Sequence, residues 1–325
     1  MDDPGTTSHR RRPAAPRTPQ ELAALAKSLA IDVPVSADTS ILSRPVSVGH
    51  LRIPNALAVH PMEGADGDAE GRAGDLTLRR YDRFAGGGAG LLWIEAIAVV
   101  PEGRANPRQL WLHEGSRAAF ASMVSRIRGR AAARFGPSHR PVLVAQLTHS
   151  GRYCRPQVER RPLIAQHIPA VDASSGVAAD LALVTDDYLD RLVDGYVRAA
   201  ALAFDVGFDA VDIKACHGYL VSELLGARTR PGRYGGPLEN RAALLVGVVE
   251  RIRSQLGPDK PIATRLGVFD AIDFPYGWGV SELAPRTPDP AEAPWAAQSA
   301  TPKSTSRFST PAAAAARPEH EGICI

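Results

Sequence analysis

Short apolar runs alternate with longer amphipathic stretches from about residue 41 to about residue 280, and this alternation restricts the chain more than any other feature. The strand candidates are Ala56-Leu57-Ala58-Val59, Leu91-Leu92-Trp93-Ile94, Val142-Leu143-Val144-Ala145, Ala210-Val211-Asp212-Ile213 and Ile262-Ala263-Thr264-Arg265. Between them, Asp187 to Phe204 repeats apolar residues at Leu189, Leu192, Val193, Tyr196, Val197 and Ala200, the stripe of a helix laid on a sheet. A second stripe runs through Leu245, Val248, Val249 and Ile252. Strands that alternate with helices run parallel and connect by right-handed crossovers, which leaves a (β/α)8 barrel or a doubly wound sheet.

The loops choose the barrel. No early strand is followed by the glycine-rich turn of a dinucleotide fold or the lysine-bearing loop of a phosphate-binding one, and Gly86-Gly87-Gly88 precedes a strand as a plain turn. Polar residues stand instead just past successive strands: His60-Pro61-Met62-Glu63, Glu95-Ala96, Gln146-Leu147-Thr148-His149, Lys214 to Tyr219, and Arg265. In a barrel the strand ends converge on one face, so these separate loops become one constellation.

The flanks are different in kind. Residues 1–40 are polar and Pro-rich apart from one short helix, announced by the capping pattern Thr18-Pro19-Gln20-Glu21, and they read as an arm. The basic run His9-Arg10-Arg11-Arg12 holds much of the +3 net charge and reads as a solvated tail rather than a nucleic-acid surface. No run approaches the ~18 apolar residues of a membrane span, and Met1-Asp2-Asp3 opens no signal peptide, so a cytoplasmic protein is expected. The cysteines Cys154, Cys216 and Cys324 form no CxxC pair, and neither a disulfide framework nor a metal centre is expected. His149 and His60 lack a third ligand at sensible spacing.

The densest chemistry lies in Asp212-Ile213-Lys214-Ala215-Cys216-His217-Gly218-Tyr219-Leu220, which sets a cation, an imidazole and a phenol at the end of a buried strand. Such a donor cluster polarises a carbonyl and delivers a proton. Plainer readings stand beside this one. Lys214 also fits an inward residue paired to Asp212 or Glu63, and Cys216 fits a packed thiol. Gln146 and Arg265 by themselves fit ordinary polar residues of a barrel interior.

Together these blocks resemble the old yellow enzyme family of FMN-dependent NAD(P)H oxidoreductases, over roughly residues 41–280. The blocks are Arg52-Ile53-Pro54-Asn55 leading into Pro61-Met62, Glu95-Ala96 with Pro101-Glu102-Gly103-Arg104, and Gln146 to Arg152. His217-Gly218-Tyr219-Leu220, Arg233 to Arg241, and Thr264-Arg265-Leu266 complete them. The resemblance implies a (β/α)8 barrel that binds FMN, takes its electrons from NADH or NADPH, and reduces a small-molecule enone, with no nucleic-acid or membrane partner and a homo-oligomer left open.

By the same resemblance Pro61 and Met62 border the isoalloxazine, Ala96 lies by its pyrimidine side, and Gln146 hydrogen-bonds the pyrimidine edge. Arg265 sits near the flavin N1/O2 locus. Lys214 and His217 hold the carbonyl oxygen, and Tyr219 protonates the α-carbon. The departures are Lys214 in place of a neutral donor, Glu63 where many members carry a Thr or Cys that tunes the flavin, and no asparagine in Gly226 to Pro231.

After Val280 the chain turns Pro-, Ala-, Ser- and Thr-rich, and residues 281–325 read as a disordered tail. A closed barrel of this class needs eight strands and about 250 residues, whereas about five strands are legible here. The expectation is therefore an incomplete barrel, the product of a truncated or frame-shifted gene, whose catalytic face is encoded but whose FMN phosphate grip is not. Two other functional readings stay open: a catalytically silent fragment, and a Schiff-base enzyme acting through Lys214.

Overall fold

The computed structural model describes residues 15–284 and 287–292 and the short strand at 323–324. The chain divides into two compact units, the first ending at Ser43 and the second starting at Arg44. In the first, helix α1 (Pro19–Ser28) begins where the capping pattern places it. Thr18 Oγ1 accepts from Glu21 N at 3.1 Å, and Pro19 fills a position whose N–H would have no helical partner. The Glu21 carboxylate takes the Arg17 N–H at 2.7 Å, one residue upstream of the cap itself.

The second unit opens with an antiparallel hairpin, β1 (Val46–Val48) and β2 (Leu51–Ile53). Strands β3 (Ala58–Val59), β4 (Leu91–Ala98), β5 (Val142–Thr148), β6 (Ala210–Ile213), β7 (Ile262–Thr264) and β8 (Ile323–Cys324) follow, side by side in chain order and all parallel. Parallel neighbours need crossovers, and the helices α2 (Asp75–Gly86), α3 (Arg117–Phe135), α5 (Asp186–Asp205) and α7 (Leu238–Leu256) provide those between β3 and β7. Two short helices, α4 (Pro169–Ser175) and α6 (Leu220–Leu225), sit in the loops after β5 and β6. The layout is that of an incomplete (β/α)8 barrel.

Local chemistry sets the element bounds. The first barrel strand is shorter than its apolar run because Asn55 Oδ1 accepts from Leu57 N at 3.1 Å and from Gly90 N at 2.8 Å, folding the first half of the run into a turn. Helix α5 buries all of Leu189, Leu192, Val193, Tyr196, Val197 and Ala200, the stripe read from the sequence. Helix α7 is rotated slightly from its expected face: Leu244, Val248 and Ile252 are buried with Arg241, and Leu245 and Val249 lie at the margin. Arg241 draws that face inward by donating to Leu225 O and Gly236 O.

Two apolar layers result. One lies between the sheet and its helices, and the other fills the barrel interior with Ile53, Trp93, Val142, Val144, Ala210 and Ala263. Val48 and Leu51 of the hairpin pack against the interior layer and close the floor of the barrel. Because strand side chains alternate, Gln146, Asp212 and Arg265 follow Val144, Ala210 and Ala263 on the same inward face, one step nearer the carboxyl ends. The interior thus changes from apolar to polar along the barrel axis.

No helix among the described residues is long and apolar enough to cross a membrane. The Pro-rich segment from 281 onward lies mostly outside the described residues. In its described part, Glu292 accepts hydrogen bonds from Arg228 and Arg241, and from Gly279 N at 3.3 Å.

Candidate active site

Asp212 is the centre of the polar layer. It is fully buried, and its carboxylate accepts from Gln146 Nε2 at 2.6 Å, from Trp93 Nε1 at 2.9 Å and from Arg265 N at 2.8 Å. Burial holds the carboxyl above its usual range, against the opposing pull of Gln146, the Arg265 amide, Trp93 and the Lys214 charge. Every partner is a donor, so the group holds as an ionised acceptor. The register pairs Gln146 directly with Asp212, which explains why the two side chains meet.

The loop after β3 carries Pro61, Met62 and Glu63 over this layer. A β-bulge at the mouth end of β4, between Ile94 and Ile97, turns Glu95 and Ala96 into the barrel wall, where both are buried. Glu95 Oε2 accepts from Gly64 N at 2.9 Å and so pins the loop one residue past Glu63. Burial raises the Glu95 carboxyl, while the Gly64 amide and Arg80 oppose that shift. Arg80 in turn bridges Glu95 to Asp66, with Nη1 to Asp66 Oδ2 at 2.6 Å.

On the opposite side, β6 runs out into Lys214 and a turn in which His217 and Gly218 both take positive φ, +65° and +64°. For a histidine this is a sparsely populated backbone region that the surrounding structure must hold in place. The turn brings three functional groups together. Lys214 Nζ donates to Glu63 Oε1 at 2.9 Å, Tyr219 Oη donates to the same oxygen at 3.1 Å, and the Lys214 ammonium lies 3.9 Å from the centre of the Tyr219 ring. Burial, then the Glu63 charge, pushes the Tyr219 phenol well above its usual range, so it keeps its proton. His217 is lowered by burial first, then by Lys214 and Arg265, and stands as a neutral imidazole.

His217 and Gly218 of this turn line a cavity of about 640 Å³ whose lining also includes His60, Pro61, Trp93, Cys216, Arg265 and Asp270. Arg265 has no carboxylate partner among the described residues. Among the described residues the Asp270 carboxylate accepts only the Trp278 N–H, at 3.1 Å, and burial pushes it up to about 6. Burial likewise raises the Cys216 thiol, which keeps it a packed group rather than a thiolate.

Of the residues singled out in the sequence, Pro61, His217 and Arg265 line this cavity together, and Ala96 and Gln146 are buried in the wall and floor. Lys214, Glu63 and Tyr219 form one hydrogen-bonded cluster. Met62 stands on the rim, 58% exposed. His149 is elsewhere: its Nδ1 accepts from Gly151 N at 3.1 Å, its Nε2 meets Tyr188 Oη at 2.7 Å, and burial lowers it to about 3.

Sequence reasoning missed the roles of Trp93, Asp212, Asp270 and the Arg80–Glu95–Asp66 bridge. The inward parity of β6 was the available signal for Asp212.

A sequence model described as the NADH:flavin oxidoreductase / NADH oxidase family matches residues 42–277. Among curated relatives, an NADPH dehydrogenase of Clostridium acetobutylicum is 27% identical over 238 residues, covering 72% of this chain and 65% of the relative. An NADH:flavin oxidoreductase of Gibberella zeae is 25% identical over 277 residues, covering 77% of this chain and 65% of the relative. The chain therefore spans about 65% of the length of these relatives. Among solved structures, Old Yellow Enzyme from Pichia sp. superimposes with a TM-score of 0.62 at 24% identity, over 75% of this chain and 64% of that one. Morphinone reductase does so with a TM-score of 0.58 at 24% identity, over 69% and 61%. These likenesses carry the barrel fold.

Proposed function

Since this chain belongs to the NADH:flavin oxidoreductase / NADH oxidase family, we propose that it is an FMN-dependent oxidoreductase that reduces the activated C=C bond of an α,β-unsaturated carbonyl compound. The observation that carries the reading is Arg265, a guanidinium without a carboxylate partner among the described residues, on the wall of a cavity that His217 also lines and beside which Tyr219 holds its proton. An unpaired cation there fits an electron-rich ring edge, and Gln146, oriented by Asp212 through its amide nitrogen, keeps its carbonyl oxygen for a ring N–H. The residues present therefore suit FMN, with Pro61, Ala96, Gln146 and Arg265 holding the ring.

FMN, held by Pro61, Ala96, Gln146 and Arg265, would supply the redox chemistry that links NADH or NADPH to the acceptor. The protein residues do the rest. The neutral His217 imidazole and the Lys214 ammonium donate to the carbonyl oxygen and hold the negative charge that grows on it, which lowers the barrier more than it stabilises the ground state. Tyr219 turns its O–H from Glu63 toward the α-carbon and gives up the proton. The phenolate left behind faces Glu63, and the Lys214 ammonium against its ring offsets that repulsion. The Lys214 amine is engaged by Glu63 at 2.9 Å and stacked on the Tyr219 ring, a placement that disfavours the Schiff-base alternative.

The test is to purify the full chain with added FMN and titrate it anaerobically with NADH and with NADPH. A yellow protein whose flavin band bleaches with one of them and recovers on addition of a simple cyclic enone is the expected result. A protein that stays colourless through reconstitution would overturn the reading in favour of a silent fragment.

A further inference from the structure

The loop after β3 sets a carboxylate against the cation of the substrate side of the mouth. Lys214 is nearly buried, 3% exposed; its direct ion pair is with Glu63 at 2.9 Å, and its charge also reaches the Asp212 carboxylate. Asp212, two residues earlier, is committed to Trp93, Gln146 and the Arg265 amide. The backbone beside Glu63 is pinned to Glu95 through Gly64 N, and its carboxylate is held by Lys214 and Tyr219.

From this arrangement we propose that Glu63 determines the charge of the substrate: by neutralising Lys214 it makes the mouth accept an uncharged carbonyl compound and reject one that carries a carboxylate. The inference rests on the ene-reduction reading above and adds the class of acceptor to it.

The charges facing the pair support this. Lys214 faces Glu63 directly and Asp212 at longer range, Arg265 keeps a guanidinium without a carboxylate partner among the described residues, His217 is neutral, and Tyr219 and Cys216 keep their protons. Asp270, on the same cavity, adds a further negative charge at neutral pH because its carboxyl titrates near 6. A carboxylate on the substrate would be desolvated beside Asp270 and Glu63 with Lys214 already satisfied, while Arg265, the remaining cation of the wall, is turned to the flavin edge in the loaded protein. Without Glu63 the buried ammonium loses its direct partner and keeps only the Asp212 carboxylate, itself committed to three donors, so it attracts the substrate carboxylate.

The experiment compares equilibrium binding of a cyclic enone and of the same enone bearing a carboxylate. The FMN-loaded full chain is read by perturbation of the flavin band, and the FMN-free chain by the change in tryptophan fluorescence, to which Trp93 on the cavity wall contributes. The native protein is expected to favour the neutral enone by about tenfold or more, the ratio to collapse or invert in Glu63→Gln, and to widen in Lys214→Met. Either variant suffices should the other not fold. Equal ratios in the native protein and in a folded variant, or a native preference for the carboxylate, would overturn the proposal. Failure to take up FMN sinks the flavin reading instead, while the change in ratio between the native and Glu63→Gln FMN-free chains, in which Arg265 is the same, still decides the role of Glu63.

Discussion

Trp93 on β4 donates its indole N–H to Asp212 on β6 at 2.9 Å, reaching across the strand between them. Since Gln146 of that middle strand and the amide of Arg265 after β7 bond to the same carboxylate, one acid ties four consecutive strands at the height of the site. The orientation of Gln146 and the backbone position of Arg265 are therefore both set by a group that the proposed substrate and cofactor contacts do not include.

Asp212→Asn tests this directly. The amide keeps the size of the carboxylate but turns one acceptor into a donor facing donors. A loss of about 2–3 kcal/mol is expected, the scale of hydrogen bonds to a buried charge, read from the urea unfolding midpoint. A change below about 0.5 kcal/mol would show that the strands are held without it.

Gly151→Ala probes the junction of two sequence blocks. Gly151 has φ +58°, and a Cβ there would come within 2.7 Å of Leu220 N, the first residue of α6. Both objections are to backbone, which cannot rotate away as a side chain can. The expected cost is at least about 2 kcal/mol, from the left-handed conformation plus the overlap. In thermal unfolding the variant melts lower, and His217 and Tyr219, which lie on the same turn, lose their fixed positions. A variant with native stability would mean that the turn has slack.

How far the sequence foretold this site depends on the distance over which each signal acts. The barrel strands were legible because burial on both faces leaves continuous apolar runs, and α5 because its stripe repeats over several turns. The shortening of the first strand was not, since it depends on Asn55 reaching Gly90, a residue of another segment. Lys214 was read either as a carbonyl donor or as a partner of Asp212 or Glu63. The structure pairs it with Glu63, because Asp212 is occupied by donors from neighbouring strands. The Arg80 bridge joins loop, helix and strand, and no periodicity or local motif encodes such a contact.

His149 makes stability fall on the acid side. Its folded value, about 3, lies below the ordinary 6.5, so under pH 6.5 the unfolded chain takes up a proton that the folded one refuses. The contribution is fully present above pH 6.5 and is lost progressively as the pH falls toward 3. From pH 7 to pH 5 the loss is about 2 kcal/mol. Unfolding free energies measured across that range should decline in the native protein and flatten in His149→Gln. An equal slope in both would mean that the imidazole is already hydrated in the fold.

Asp270 acts with the opposite sign. Burial raises its carboxyl from 3.8 to about 6, so between those values the folded protein holds a proton that the unfolded chain has released. Stability from this group is then greatest below pH 4 and declines as the pH rises through 6, after which the buried carboxylate costs about 3 kcal/mol. Asp270→Asn keeps a carbonyl oxygen to accept the Trp278 N–H and removes the charge. The variant should be more stable than the native protein by about 2–3 kcal/mol at pH 7.5 and equal to it at pH 4, with urea unfolding at both values as the measurement. Because His149 pulls the other way over the overlapping range, the native profile alone looks flatter than either contribution, and only the paired variants separate them. A stabilisation that is the same at both pH values would show that Asp270 is paired or solvated in the folded protein, and would remove its charge from the rim of the cavity.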